Sequence, residues 1–264
     1  MESLYLCQSH MDTLAPYLPT ATSTESNVRA SLPQITLTYA ASLDSFISLA
    51  PGTNTLLSGP ESKSMTHYLR AHHDAILVGS TTAIVDNPRL NSRWIGACGK
   101  LERQPRPVIL DPSGRWLAGL HGNENLLNLA RQGQGYAPWV IVDTSVAINS
   151  QALEYLRLCG GECLYVPGYQ GRSNGMDWTA VLSRLQERNI KSLMVEGGAT
   201  VIHDLLRERN RHFLNTIIVT IAPTYLGNGG VVISPERRTS AGVCRLKNIR
   251  WLPLGDDCVV AGFV

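Results

Sequence analysis

The chain has no basic tract, no uninterrupted apolar run of the ~20 residues a membrane span needs, and no basic-then-apolar leader at its start. Nucleic acid, membrane and secretion are each disfavoured by one of these absences. A formal net charge of +2 with both signs mixed leaves no electrostatic footprint for a polyanion. Zinc spacing is missing as well. The six cysteines (7, 98, 159, 163, 244 and 258) are scattered, and only Cys159 and Cys163 lie close together. We expect small buried hydrophobes in a reducing, cytoplasmic compartment, with no structural disulfide and no bound metal. The Walker pattern Gly-x-x-x-x-Gly-Lys does not occur, nor does the His-x-Glu with Pro-Cys-x-x-Cys set of zinc base deaminases. No serine-nucleophile elbow and no solenoid or propeller repeat is expected. His72 and His73 are adjacent, so they face different sides of a helix and read as surface or cap residues.

What is present is an alternation. Hydrophobic residues make up 44% of the chain, enough for a sizeable core. Residues 1–32 include a Ser, Thr, Asn and Pro-rich stretch and read as an extension ahead of a domain spanning 33–264, onto which Leu4, Tyr5, Leu6, Leu14 and Tyr17 can dock. Ile35-Thr-Leu-Thr-Tyr alternates as a strand does. Short β-rich runs recur at Ala75-Ile-Leu-Val, Pro107-Val-Ile-Leu, Trp139-Val-Ile-Val, Cys163-Leu-Tyr-Val and Ser192-Leu-Met-Val. Helical spacing falls between them, at Glu61 to His73, Asn149 to Leu158, Trp178 to Arg188 (with Asp177 as N-cap) and Ala199 to Arg209. Strands alternating with helices predict an α/β domain: a mostly parallel central sheet with helices on both faces. At the end of the chain Leu214 to Ile221 and Cys258 to Val264 read as strands without a helix between, so an antiparallel edge is expected.

Two turns carry the chemistry. In Val195-Glu196-Gly197-Gly198-Ala199-Thr200-Val201 a β run ends in a carboxylate and two glycines, and a helix begins at once. Glycines admit a ligand close to the backbone, and the first amides of a helix favour an anion. A tight turn in which Glu196 caps amides is the plainer alternative. The dinucleotide fingerprint Gly-x-Gly-x-x-Gly is absent between a strand and a helix. In Gly79-Ser-Thr-Thr82-Ala-Ile-Val-Asp86-Asn-Pro88 a strand enters a short helix that Pro88 stops, with Thr82 and Asp86 on one side of it. Arg93, just beyond, can fork onto a phosphate. Ser113 and Arg115 can meet a cofactor 2′-phosphate, although turn chemistry alone explains Pro-Ser-Gly.

In order, Ser42-Leu-Asp-Ser-Phe-Ile, Ser58-Gly-Pro-Glu-Ser with Tyr68-Leu-Arg, Asp74 through Arg93, Val195-Glu-Gly-Gly-Ala-Thr and Ile221-Ala-Pro-Thr-Tyr-Leu-Gly resemble the riboflavin-biosynthesis reductase family in its stand-alone fungal form. The resemblance covers roughly residues 34–264. It implies a dihydrofolate-reductase-like fold, a homodimer, NADPH as hydride donor, and reduction of the ribosylamino side chain of a phosphorylated pyrimidine to the ribitylamino form. Carried over position by position, it implies cofactor contacts from Thr82, Asp86, Val166, Gly197, Gly198, Ala199, Thr200 and Val201. Substrate contacts are implied for Arg70, Leu90, Arg93 and Glu196, with Asp86 and Glu196 as the catalytic candidates. Bacterial relatives usually carry Gly where Ser45 stands and a second Asp where Asn87 stands. The zinc deaminase domain of their bifunctional enzyme has no counterpart here. Another pterin or folate reductase on the same fold, and a non-catalytic NADPH-binding module, are the competing readings.

Overall fold

A computed structural model describes residues 4–19, 32–97, 99–168, 176–234 and 243–264. Most of the Ser/Thr-rich stretch, Cys98 and residues 169–175 lie outside them. Among the described residues the main sheet has nine strands. Seven run parallel: β1 (Gln34–Ser42), β3 (Ala75–Gly79), β4 (Arg106–Leu110), β5 (Trp139–Asp143), β6 (Glu162–Val166), β7 (Ser192–Gly197) and β8 (Leu214–Ala222). Two more, β10 (Lys247–Leu254) and β11 (Asp257–Phe263), close one edge antiparallel. The order is β10-β11-β8-β1-β7-β3-β4-β5-β6, so β7 is inserted between β1 and β3. A two-stranded ribbon joins β2 (Phe46–Ser48) to β9 (Val231–Val232).

Alternate residues of each strand enter opposite cores, which is why the central strands read as continuous apolar runs. Ile35, Leu37, Leu77, Leu193 and Val195 face α7 (Trp178–Gln186) and α8 (Ala199–Leu206). Ile76, Val78, Ile109 and Val140 face α3 (Ser80–Val85), α4 (Arg115–Ala118), α5 (Asn125–Arg131) and α6 (Ser150–Leu158). Helices therefore cover both faces. Met194 and Ile218 pack beneath α2 (Pro60–Arg70) and the N-terminal helix α1 (Gln8–Leu14). At ~1.5–3 kcal/mol per fully buried large aliphatic side chain, these layers dominate the folding energy.

Local signals set the boundaries. Asp177 caps α7 by accepting from the amides of Thr179 and Ala180 at 2.9 and 3.4 Å. Helix α8 ends at Leu206, short of the expected Arg209, because the Arg207 and Arg209 guanidinium groups fold back onto Asp204. Helix α2 ends at Arg70 and not at His73, and the His73 ring is buried, contrary to the expectation of a surface or cap residue. Its Nδ1 lies 2.7 Å from the Leu69 carbonyl and its Nε2 lies 2.9 Å from Thr36 Oγ1. Leu6, Leu14 and Tyr17 are buried against the sheet, whereas Tyr5 is exposed. No helix among the described residues is long and apolar enough to cross a membrane.

Candidate functional site

Because β7 lies between β1 and β3, its C-terminal turn emerges at the centre of the sheet, where ligands of open α/β sheets bind. Val78 pairs with Gly197, so the β3–α3 and β7–α8 turns leave the sheet side by side. They interlock closely. A Cβ placed on Gly198 would lie 2.5 Å from Thr82 Oγ1, and one on Gly79 would lie 3.1 Å from Val201 Cγ2 and 3.6 Å from the Gly198 amide. Gly197 holds φ +126°, a conformation closed to side chains. Neither α3 nor α8 receives a side-chain cap at its first turn. Glycine at 79 and 198 lets the two turns pack into one junction that any Cβ would force apart. Arg115 reaches over it from the start of α4, with Nη2 at 3.2 Å from Ser80 Oγ and 3.1 Å from Thr81 Oγ1.

Glu196, one residue earlier, does not cap amides. It forms a two-pronged ion pair with Arg70, Nε to Oε1 and Nη2 to Oε2 both at 2.7 Å, and the remaining Arg70 prong donates to the Asn91 carbonyl at 3.1 Å. The two side chains are only 13% and 15% exposed, so this pair is shielded from screening. Arg70 also lines a cavity of about 380 Å³. Lys63, Thr66, His67 and Arg70, spaced i, i+3, i+4 and i+7, give it one face of α2, while Arg89, Asn91 and Arg93 form the opposite wall. Four cationic side chains and no carboxylate line it.

The loop carrying Arg93 is fixed from three directions. Ser92 Oγ donates to the His67 carbonyl at 2.6 Å, Gln104 grips both backbone groups of Ser92 at 2.6 and 3.0 Å, and Arg93 N–H donates to His67 Nδ1 at 3.0 Å. From the N-terminus, Leu4 N–H donates to the Arg93 carbonyl at 2.9 Å, and Ile95 N–H donates to Leu4 O at 2.9 Å. Burial, followed by the Arg70 and Arg93 charges, lowers the His67 pKa to about 3, so the ring is neutral.

The structure thus brings Arg70, Arg93 and Glu196 to the cavity and its rim, and Thr82 with Gly197 to Val201 to the junction of the two turns. Asp86 closes α3 as its C-cap, exposed yet crowded enough for desolvation to raise its pKa. Two residues cannot act through their side chains. Leu90 is buried in the core, its backbone at φ +53°, and Val166 is buried under α7, so each can offer a ligand only main-chain atoms. Lys63, His67 and Arg89 were not among the expected site residues. The shared helical face of 63, 67 and 70 was the available signal. A Gly-x-Ser-x-Gly string does occur after all, Gly171-Arg-Ser-Asn-Gly, but it lies outside the described residues.

Two uncapped helix starts interlocked at the centre of a parallel sheet, beside a cavity walled by cations, define an α/β protein built to hold anionic ligands. The chain belongs to the RibD C-terminal domain family, whose model matches residues 33–260. It is 38% identical over 247 residues to a protein of Saccharomyces cerevisiae, covering 93% of this chain and 91% of that one. To a Debaryomyces hansenii protein it is 36% identical over 251 residues, covering 95% and 94%. Both relatives are named 2,5-diamino-6-ribosylamino-4(3H)-pyrimidinone 5′-phosphate reductase. Among solved structures, the Saccharomyces riboflavin biosynthesis reductase Rib7 superposes with a TM-score of 0.76 at 34% identity, over 97% of this chain and 100% of that one. Acinetobacter baumannii RibD shares the fold, with a TM-score of 0.69 at 22% identity over 88% of this chain and 58% of that one. The chain is thus an enzyme of the reductase type.

Proposed function

We propose that the protein reduces the ribosylamino side chain of 2,5-diamino-6-(5-phosphoribosylamino)pyrimidin-4(3H)-one to the ribitylamino form, with NADPH as reductant. The observation that carries this reading is the Arg70–Glu196 pair. It ties the helix that walls the cationic cavity to the residue just ahead of the Gly197–Gly198 turn, so a phosphorylated substrate and a dinucleotide would share one wall. The names of the fungal relatives supply the substrate class.

Thr82, Asp86, the backbone of Val166, and the Gly197, Gly198, Ala199, Thr200 and Val201 turn would hold the cofactor, whose chemistry is hydride donation. The Arg115 guanidinium, poised over Ser80 and Thr81, supports a 2′-phosphate and hence NADPH over NADH. On the substrate side Glu196 holds Arg70 in place, which leaves Arg93, Arg89 and Lys63 to grip the phosphate and the Leu90 main chain to border it. In the net reaction a C1′–H bond forms, the bond from C1′ to the ring oxygen breaks, and that oxygen takes a proton. Asp86 is our candidate to hold or relay the proton, because partial desolvation favours its neutral form. Holding the two reacting carbons face to face accounts for much of the barrier lowering, out of the ~7–11 kcal/mol accessible to good orientation.

Free thiols at all five described cysteines support a cytoplasmic location. Exposed Ile249 and Trp251 on the edge strand β10 support a homodimer, which sedimentation would reveal as twice the chain mass. The deciding assay for the activity is NADPH oxidation that requires the pyrimidine phosphate and yields the ribityl product. Oxidation driven equally well by dihydrofolate, or none with the pyrimidine, rejects the reading.

A further inference from the structure

His67 has no part in the chemistry above, yet its hydrogen bonding is incomplete in a way that specifies a ligand. Nδ1 lies 3.0 Å from the Arg93 backbone nitrogen, whose hydrogen points at it, so Nδ1 is the acceptor and the neutral ring carries its proton on Nε2. Nε2 in turn lies 3.2 Å from Arg93 Nη2. A guanidinium has donors only, so two N–H groups confront each other. The other tautomer does not remove the conflict. It would set Nδ1–H against the backbone amide, which cannot turn away as a side chain can. Ring and guanidinium both line the cavity between Lys63 and Arg89. What the pair lacks is an acceptor, and a negatively charged oxygen seated between them would receive a hydrogen bond from each.

We propose that His67, as a neutral Nε2–H donor, clasps a phosphate oxygen of the substrate together with Arg93 and so fixes where the phosphate end sits. The proposal rests on the substrate reading given above and adds to it a residue and an atom. Burial and the facing Arg70 and Arg93 guanidinium groups keep the ring uncharged, so it contributes a directional bond without adding to an already cationic wall. The Ser92 hydroxyl on the His67 carbonyl and the Arg93 amide on Nδ1 hold the ring in this orientation.

Ribose 5-phosphate is a suitable probe, because its binding requires no turnover. Titration calorimetry would compare the wild type with H67A and H67Q. Losing a bond to a charged acceptor should weaken H67A by about 10- to 100-fold, while H67Q, which keeps an N–H donor at similar reach, should stay within several-fold of the wild type. NADPH affinity, measured on the same samples, reports whether each variant is folded. In ¹⁵N-histidine spectra of the wild type, the ring proton should sit on Nε2 and move downfield when ribose 5-phosphate is added. Unaltered affinity in H67A, equal losses in H67A and H67Q, a proton on Nδ1, or no spectral response would each overturn the proposal. If H67A fails to fold, H67Q and the wild-type spectra still decide. The two readings fail separately. Wild-type protein that reduces the pyrimidine but gives any of these results loses the His67 role alone; protein that shows the clasp but no reduction loses the reaction alone.

Discussion

At Asp86 the carboxyl is exposed at the end of α3, and its pKa is raised by desolvation alone. If it serves the proton, Asp86→Asn should slow single-turnover hydride transfer at least tenfold and remove an acidic limb from the pH profile. An unchanged rate and profile would remove it from any proton role. Ser45 adopts φ +69°, a conformation that favours Gly. The turn forms nonetheless, because Ser42 Oγ accepts from the Phe46 amide at 3.0 Å and Asp44 accepts from the Leu226 and Gly227 amides. Left-handed backbone costs a side chain ~1–2 kcal/mol, so Ser45→Gly should stabilise the protein by ~0.5–1 kcal/mol in urea unfolding. His73 is buried, donating Nδ1–H to the Leu69 carbonyl and accepting from Thr36, and burial lowers its pKa to about 4. The unfolded chain takes up a proton near pH 6.5 that the folded one refuses. The contribution of His73 is therefore full above that pH and falls by ~1.4 kcal/mol per unit as pH drops from 6.5 towards 4. His73→Gln should be less stable at pH 7 and show a shallower acid slope. Buried histidines escaped sequence reading because adjacency on a helix gives no account of what the helix packs against.

Interlocking turns are the main device at the level of elements. Gly198→Ala puts a methyl group against Thr82, which should cost ~1–3 kcal/mol of stability and lower NADPH affinity at least tenfold. Adding Thr82→Ala should recover much of the stability, as measured by thermal melts of the double variant. The parallel strands and their covering helices were legible because each is buried on both faces or carries a strict helical stripe. The edge was not. Strand β10, Lys-Asn-Ile-Arg-Trp-Leu-Pro-Leu, mixes charges with a proline, which an edge strand tolerates because one rim has no partner to satisfy. The signal that was passed over is Gly255-Asp256, a two-residue hairpin turn with Gly255 at φ +61°. Helices α4 and α5 are too short to establish a period. Within the site, Arg70, Arg93, Glu196 and the glycine turn were legible from motif and resemblance. Lys63, His67 and Arg89 were not, because a cationic wall is assembled from two distant segments.

At the scale of the whole molecule, residues 4–19 of the extension are part of the packing. Leu6, Leu14 and Tyr17 join the core beneath α2, and Tyr17 stacks on Phe263 with ring centroids 5.0 Å apart. Removing residues 1–19 should uncover that face and lower the melting temperature by several degrees, as expected for a loss of a few kcal/mol. It should also raise KM for the phosphorylated substrate more than KM for NADPH, because Leu4 is hydrogen-bonded on both sides of Trp94, next to Arg93. Equal changes in the two constants would mean that the extension props the fold and nothing finer. The Leu4 bridge also bears on how the protein can be handled. An affinity handle or fluorescent partner joined ahead of Leu4 is moored to the loop that carries Arg93, so its pull arrives there first. One appended after Val264 loads the strand edge instead.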